Sequence, residues 1–159
     1  MTENVDSVHL RRCVTLAVEA LEAGDDPFGS VLVDSDGDLL AEARNLEHTE
    51  SDPTAHPELA LARWAIAHLP VAERAATTVY TSGEHCPMCA AAHGWAGLGR
   101  VVYAASAEQL SGWRTGWGLS GSPVRPLAIT DVAPGLEVVG PVAPYDEEMR
   151  AVHERALDR

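Results

Sequence analysis

The chain has 159 residues, 46% of them hydrophobic, and this length and composition favour one compact domain over residues 1–159. It carries 11 Lys and Arg residues against 24 Asp and Glu residues, for a net charge of −13. Nucleic-acid affinity rests largely on basic residues that neutralise phosphates, so this charge disfavours a nucleic-acid partner, and no apolar run in the sequence is long enough for a transmembrane helix.

Helices alternate with strands along the predicted chain. The helical spacing of apolar residues after Asn4 stops at Gly24, and Asp36-Gly37 is a signal for a hairpin turn between two strands. In chain order, the predicted elements are a helix over 4–23, strands over 28–33 and 38–44, a helix over 54–69, a strand over 77–81, a helix over 87–96, a strand over 101–104, a loop over 112–126, weaker strands over 127–130 and 136–139, and a helix over 145–156. This order predicts an α/β fold with a mixed central sheet and helices on both faces.

The cysteines indicate the compartment. The chain has three cysteines, Cys13, Cys86 and Cys89. This low and odd number argues against a scaffold stabilised by disulfides. Residues 1–6 are polar and acidic, unlike a secretory signal. We therefore expect a cytoplasmic protein, in which a close pair such as Cys86 and Cys89 is typical of metal binding or redox chemistry.

Two segments, TAHPE over 54–58 and CPMC over 86–89, carry the residues of a zinc centre. A catalytic zinc ion has three protein ligands and an open position for water, and His56, Cys86 and Cys89 offer one nitrogen and two sulfurs. Two cysteines three residues apart at a helix start lie on one side of the turn, where the helix N-terminus favours thiolate. The sequence therefore predicts Zn²⁺ as the cofactor.

Glu58 follows His56 by two residues, which places a carboxylate close to the metal without making it a further ligand. Such a carboxylate can take a proton from a zinc-activated water and pass it to a substrate. This combination is the signature of zinc-dependent base deaminases, which replace an exocyclic amine by a carbonyl oxygen. We therefore predict Glu58 as the catalytic residue of a hydrolytic deaminase.

Two other interpretations of these motifs stay open. A redox Cys-x-x-Cys pair would need neither His56 nor Glu58. A structural zinc site, in a domain that binds partners without catalysis, would take a fourth protein ligand, for which His85, His93 or Cys13 is available.

Several stretches of the sequence resemble the cytidine deaminase-like superfamily, nearest to its branch of guanine deaminases, cytosine deaminases and bacterial tRNA adenosine deaminases. The resemblance extends over residues 4–105. The matching segments are PFGSVLV (27–33), Asn45, DPTAHPELA (52–60), VYTSGEHCPMC (79–89) and GLGRVVYAAS (97–106). The resemblance implies a three-layer α/β/α sandwich with a five-stranded mixed sheet, the zinc ligands and catalytic glutamate already named, and commonly a homodimer.

The resemblance also implies contacts to the substrate. Asn45 matches the family asparagine whose side chain hydrogen-bonds the base, and Phe28 matches a position that packs near the base. Glu84 matches the glutamate of a Glu-Pro-Cys sequence, while His85 stands in place of its proline and is a candidate to line the pocket. Trp113, in a predicted loop, is a candidate to stack on a flat base.

Departures from the family leave the exact substrate open. His85 replaces a proline and Gly83 replaces a cysteine, and both positions adjoin the metal ligands. The expected substrate is a free nucleobase or nucleoside, either guanine-like or cytosine-like, and another aminated heterocycle is an alternative. A tRNA adenosine is a further alternative, against which the acidic charge argues.

Overall fold

The computed structural model describes residues 4–159; residues 1–3, part of the segment predicted not to be a secretory signal, lie outside the described chain. The centre of the molecule is a sheet of five strands: β1 (Gly29–Val33), β2 (Leu39–Arg44), β3 (Thr78–Gly83), β4 (Arg100–Ala105) and β5 (Val138–Val139). They lie in the order β2-β1-β3-β4-β5, with β1 antiparallel to both neighbours and β3, β4 and β5 parallel. The prediction of a five-stranded mixed sheet is confirmed.

Helices cover both faces of the sheet. They are α1 (Val5–Glu22), α2 (Pro57–His68), α3 (Val71–Arg74), α4 (Pro87–Ala96), α5 (Ala107–Gly116), α6 (Ile129–Val132) and α7 (Tyr145–Arg155), followed by a 3-10 helix (Ala156–Asp158). Helices α1 and α7 pack on one face, whereas α2 and α4 pack on the other with α6 beside α4. This is the predicted three-layer α/β/α sandwich. Among residues 4–159, no helix combines enough length with enough apolar character to span a bilayer.

The three central strands are buried on both faces because helices lie above and below them. Every residue of β1 is buried, and β3 and β4 are buried at all positions but the first, whereas the edge strand β2 is partly exposed. A buried polar side chain in such strands needs a hydrogen-bond partner. Ser30 and Thr81 are two such residues, and they face each other in the register of β1 and β3.

Gly29 allows α1 to pack directly on the start of β1. A Cβ atom at this position would lie 2.4 Å from Leu16 Cβ and 2.7 Å from the carbonyl oxygen of Cys13. Only a residue without a side chain fits so close to the helix. The close approach fixes the height of α1 above the strand that carries Ser30.

The chain after β4 departs from the prediction at two points. Helix α5 occupies part of the loop predicted over 112–126, and it begins with a capping box: Ser106 Oγ accepts the Gln109 N–H at 3.0 Å, and Gln109 Oε1 accepts the Ser106 N–H at 2.9 Å. The strand predicted over 127–130 is also wrong, because Ile129 begins the short helix α6.

Candidate active site

Two helix N-termini meet beside the carboxyl end of β3. His56 is the N-cap residue of α2, and Cys86 is the N-cap residue of α4. A proline follows each of them at the first helical position, where its missing N–H leaves no intrahelical bond unmade. Because α2 and α4 pack against each other, their starts bring the imidazole of His56 to the thiols of Cys86 and Cys89.

The spacing of these side chains fits a zinc ion. His56 Nδ1 lies 3.4 Å from Cys86 Sγ and 3.6 Å from Cys89 Sγ, and the three ligand atoms lie within 4.8 Å of one another. A tetrahedral zinc ion with bonds of about 2.1 Å to nitrogen and about 2.3 Å to sulfur separates the two atoms by roughly 3.6 Å. One imidazole and two thiols are also a donor set that zinc prefers.

Protons and a metal cation compete for these three atoms. Hydrogen bonds with Cys89 and then with His56 lower the pKa of Cys86 to about 4, although burial opposes the shift. The Cys86 thiolate raises the pKa of His56 to about 9 and raises the pKa of Cys89 above its ordinary value. Metal ligands are thiolates and neutral imidazoles, so cation binding at this site releases protons.

Glu58 lies buried in the first turn of α2. Its Oε1 atom accepts a hydrogen bond from Thr81 Oγ1 at 2.8 Å, and Ser30 Oγ donates to Thr81 Oγ1, also at 2.8 Å. Burial raises the pKa of Glu58 above its ordinary value, while the bond from Thr81 opposes the shift. A carboxyl group in this setting can accept and return a proton closer to neutral pH than a carboxyl group in water.

Asn45 and Phe28 reach the same end of the sheet. Asn45 is buried, and its backbone N–H donates to the carbonyl oxygen of Phe28 at 3.0 Å. The ring of Phe28 lies 3.3 Å from the point that a Cβ atom on Gly83 would occupy. Since Gly83 ends β3 three residues before Cys86, the structure places both predicted base contacts near the helix start that carries the thiols.

Trp113 lies on α5 rather than in a loop. Its side chain is partly buried against the core that α1 and α7 form on the sheet. The ring of His153, on α7, is 6.2 Å from the ring of Trp113 and 5.1 Å from the ring of Phe28, measured between centroids. Trp113 therefore approaches the site through His153, and its stacking on a base stays a prediction.

Glu84 and His85 are directed into the protein body. Glu84 Oε1 accepts the backbone N–H of Ala107 and Glu84 Oε2 accepts that of Ile129, each at 2.9 Å. His85 is only 1% exposed, its ring packs against His93 of α4 with centroids 5.2 Å apart, and burial lowers its pKa well below the ordinary value. Glu84 thus holds the starts of α5 and α6 through their backbone N–H groups, and His85 is buried against α4.

The site also contains three residues that lie outside the two zinc motifs of the sequence: Ser30, Thr81 and Glu47. Ser30 and Thr81 offered a signal, since each is a polar residue inside a predicted buried strand. Glu47, whose Oε1 lies 3.6 Å from His56 Nε2, offered none, because it belongs to a polar loop with other charged residues.

The fold and these side chains define a class of protein. An α/β/α sandwich whose helix starts present one imidazole and two thiols beside a buried carboxylate is a zinc-binding enzyme domain. A sequence model of the family described as "Cytidine and deoxycytidylate deaminase zinc-binding region" matches residues 3–105. The chain belongs to this family, and the predictions of a cytidine deaminase-like domain and of zinc as its cofactor are confirmed.

The relatives that the chain resembles differ in substrate. Guanine deaminase of Bacillus subtilis (strain 168) is 45% identical over 97 residues, which are 60% of this chain and 62% of the relative. The tRNA-specific adenosine deaminase of Haemophilus influenzae is 35% identical over 101 residues, 64% of this chain and 58% of the relative. The chain thus spans less than two thirds of the length of either protein.

A solved structure extends the likeness of fold to nearly the whole chain. The guanine deaminase from Nitrosomonas europaea superimposes with a TM-score of 0.75 over 95% of this chain and 84% of its own, at 21% identity. At that identity the likeness concerns the fold, and it includes the tail after β4.

Proposed function

We propose that the chain is a zinc-dependent hydrolytic deaminase of a free nucleobase or nucleoside, with guanine-like substrates first and cytosine-like substrates second. The observation that carries this proposal is the buried carboxylate of Glu58, held through one oxygen by Thr81 beside the His56, Cys86 and Cys89 set. The relative named guanine deaminase supports the order of the two substrates.

In the proposed reaction, water adds to the ring carbon that bears the amine, the C–N bond breaks, ammonia leaves and a carbonyl remains. Bound zinc would supply a Lewis acid that lowers the pKa of a water molecule to about 7. Glu58 takes a proton from the attacking water and gives it to the adjacent ring nitrogen, and it then carries the second proton to the leaving amine. Thr81 holds Oε1 in place, so that Oε2 is the oxygen that moves the protons.

The proposed base contacts are Asn45 and Phe28. The Asn45 amide donates one N–H to Glu47 and its oxygen accepts the Glu47 backbone N–H. A second N–H and a second lone pair are left to match the edge of a heterocycle. The ring of Phe28 offers an apolar wall against the face or rim of a flat base. Both residues lie at the end of the sheet where β3 leads into Cys86.

The test is ammonia release by the zinc-loaded protein from guanine, cytosine, adenine, their nucleosides and aminotriazines. We expect turnover of guanine or cytosine and of no more than a few of the others. Glu58→Gln keeps the shape of the side chain but removes the proton carrier, so kcat should fall by about 10²–10⁴-fold while zinc content stays unchanged. Full zinc loading without ammonia from any compound, or an active Glu58→Gln variant, would contradict the proposal.

A tRNA adenosine is the second candidate substrate, because one relative bears that name. The net charge of −13 opposes it, since the phosphates of RNA are gripped by basic residues. We expect no detectable binding of a tRNA anticodon stem-loop at low salt. Deamination of the stem-loop with affinity that falls steeply as salt rises would favour this candidate instead.

A further inference from the structure

The Glu47 carboxylate lies between two side chains of the proposed site. Its Oε2 accepts a hydrogen bond from Asn45 Nδ2 at 2.6 Å, and its Oε1 lies 3.6 Å from His56 Nε2, a separation typical of an ion pair and longer than a hydrogen bond. The side chain is partly buried, with 20% of its surface exposed. One carboxylate therefore faces both the residue that we propose for base recognition and the imidazole that we propose as a zinc ligand.

The orientation of His56 decides what Glu47 does for it. Nδ1 is the ring nitrogen that faces the two cysteine sulfurs, so Nε2 is the nitrogen turned toward Glu47. When one nitrogen of a histidine binds a metal, the other carries the proton, and a carboxylate that accepts this proton fixes the ring and increases its basicity. Glu47 Oε1 faces this nitrogen at 3.6 Å, and we expect the pair to shorten to a hydrogen bond when metal binding fixes the proton on Nε2.

The loop that carries Glu47 is held firmly on both sides of it. The Asn45 side-chain oxygen accepts the backbone N–H of Glu47 at 2.9 Å, which closes a tight turn. Farther along, the fully buried carboxylate of Asp25 accepts the backbone N–H of Thr49 at 2.7 Å and a hydrogen bond from Arg44 at 3.0 Å. Glu47 therefore projects from a loop with little freedom to move away from His56.

We propose that Glu47 is a positioning residue that orients His56 toward zinc and Asn45 toward the base, and thereby joins metal binding to substrate recognition. The inference rests on the proposed zinc centre. It concerns a residue of the loop after β2 rather than one of the two zinc motifs.

The chemistry of the side chain explains why a carboxylate stands here. Asn45 Nδ2 and the protonated Nε2 of metal-bound His56 are two donors, and a carboxylate offers one oxygen to each. A glutamine has a single acceptor oxygen, so it can serve one donor but presents its NH₂ group to the other. Glu47→Gln therefore breaks the arrangement with almost no change in volume.

The experiment measures zinc affinity by competition with a chromophoric chelator, a readout that needs no turnover. We expect Glu47→Gln to bind zinc about 10–100-fold more weakly than the unchanged protein, the range for partners of metal-bound histidines. The matched control is Glu50→Gln, which removes the same charge from an exposed position of the same loop and should leave affinity unchanged. Unchanged affinity in Glu47→Gln, or an equal loss in Glu50→Gln, would overturn the proposal.

Two further measurements separate positioning from a general loss of structure. Thermal unfolding of the metal-free variants should give the same Tm for Glu47→Gln and Glu50→Gln. Glu47→Asp, which keeps two acceptor oxygens on a shorter stem, should recover part of the lost zinc affinity, whereas no recovery together with a lowered Tm would indicate a purely structural role. For a compound that the protein deaminates, KM should rise in Glu47→Gln because Asn45 loses its carboxylate partner. If no compound is deaminated, the proposed function fails, while the zinc measurement still decides the role of Glu47.

Discussion

The part of the chain that bears the proposed chemistry, residues 27–105, and the tail, residues 106–159, are built in different ways. In the first part, the proposed zinc ligands stand at helix starts and Glu58 is held by hydroxyls of two paired strands. The tail adds β5 to the sheet and packs α7 beside α1, and its side-chain contacts with residues 27–105 include Glu84 and the ring of His153 against Phe28. The family match ends at residue 105. The proposed reacting groups and base contacts all lie in residues 27–105, whereas the tail brings the ring of His153 beside Phe28. The proposed chemistry therefore belongs to the part of the chain that the family model matches.

Replacement of Glu84 tests the junction between the two parts and has the largest expected effect on stability. Glu84→Ala removes two hydrogen bonds from a carboxylate to the partly buried N–H groups of Ala107 and Ile129. Hydrogen bonds to charged groups contribute about 1.5–3 kcal/mol each, so we expect a loss of about 3 kcal/mol in the free energy of unfolding. Glu84→Gln keeps one acceptor oxygen and should lose roughly half as much. Denaturant unfolding measures both. A raised KM with unchanged stability would show instead that Glu84 contacts the substrate.

Replacement of His153 tests whether the tail is packed by a neutral ring. Burial lowers its pKa to about 4; Asp26 opposes the shift and Arg114 adds to it. Above the ordinary pKa of 6.5, His153 is neutral in both the folded and the unfolded chain, and its burial does not make stability depend on pH. Between about pH 6.5 and pH 4, His153 of the unfolded chain binds a proton that His153 of the folded chain does not. The folded state therefore loses stability as the pH is lowered, by about 2 kcal/mol in the free energy of unfolding from pH 7.5 to pH 5.

The variant His153→Gln cannot take up that proton and should show a flatter stability profile over the same pH range. Urea unfolding at several pH values in parallel with the unchanged protein isolates the contribution of this one residue, because other histidines are common to both. Equal slopes for the two proteins would mean that His153 is accessible to protons in the folded state.

The smallest effect is expected at the surface contact between α1 and α7. Arg11 and Glu148 form a bidentate ion pair there, but their side chains are 52% and 35% exposed. Pairs so open to solvent contribute at most about 1 kcal/mol. Glu148→Gln should therefore change the free energy of unfolding by less than that amount, and a larger loss in denaturant unfolding would show that the tail depends on this pair.

The regular elements of the first part were predictable because their signals are local. The apolar spacing of α1, the hairpin turn between β1 and β2 and the proline at the first position of α4 each act within a few residues. Helix α5 is not predicted from the sequence although Ser106 and Gln109 form a capping box. The reason is that Gly112 and Gly116, both poor helix formers, favour a loop in the segment that follows. Tertiary packing of Trp113 against the core stabilises that helix.

The motifs alone indicate a zinc centre with an adjacent carboxylate, because a histidine followed two residues later by a glutamate, together with a Cys-x-x-Cys segment, can be recognised wherever the two segments lie along the chain. The periods of the apolar residues likewise indicate the sheet and its helical layers. Which polar groups meet depends on the tertiary structure. Ser30, Thr81 and Glu58 come together only through strand pairing and helix packing, and Glu47 reaches His56 only because its loop folds back. Contacts between residues far apart in sequence depend on the register and packing of whole elements, which no local pattern encodes.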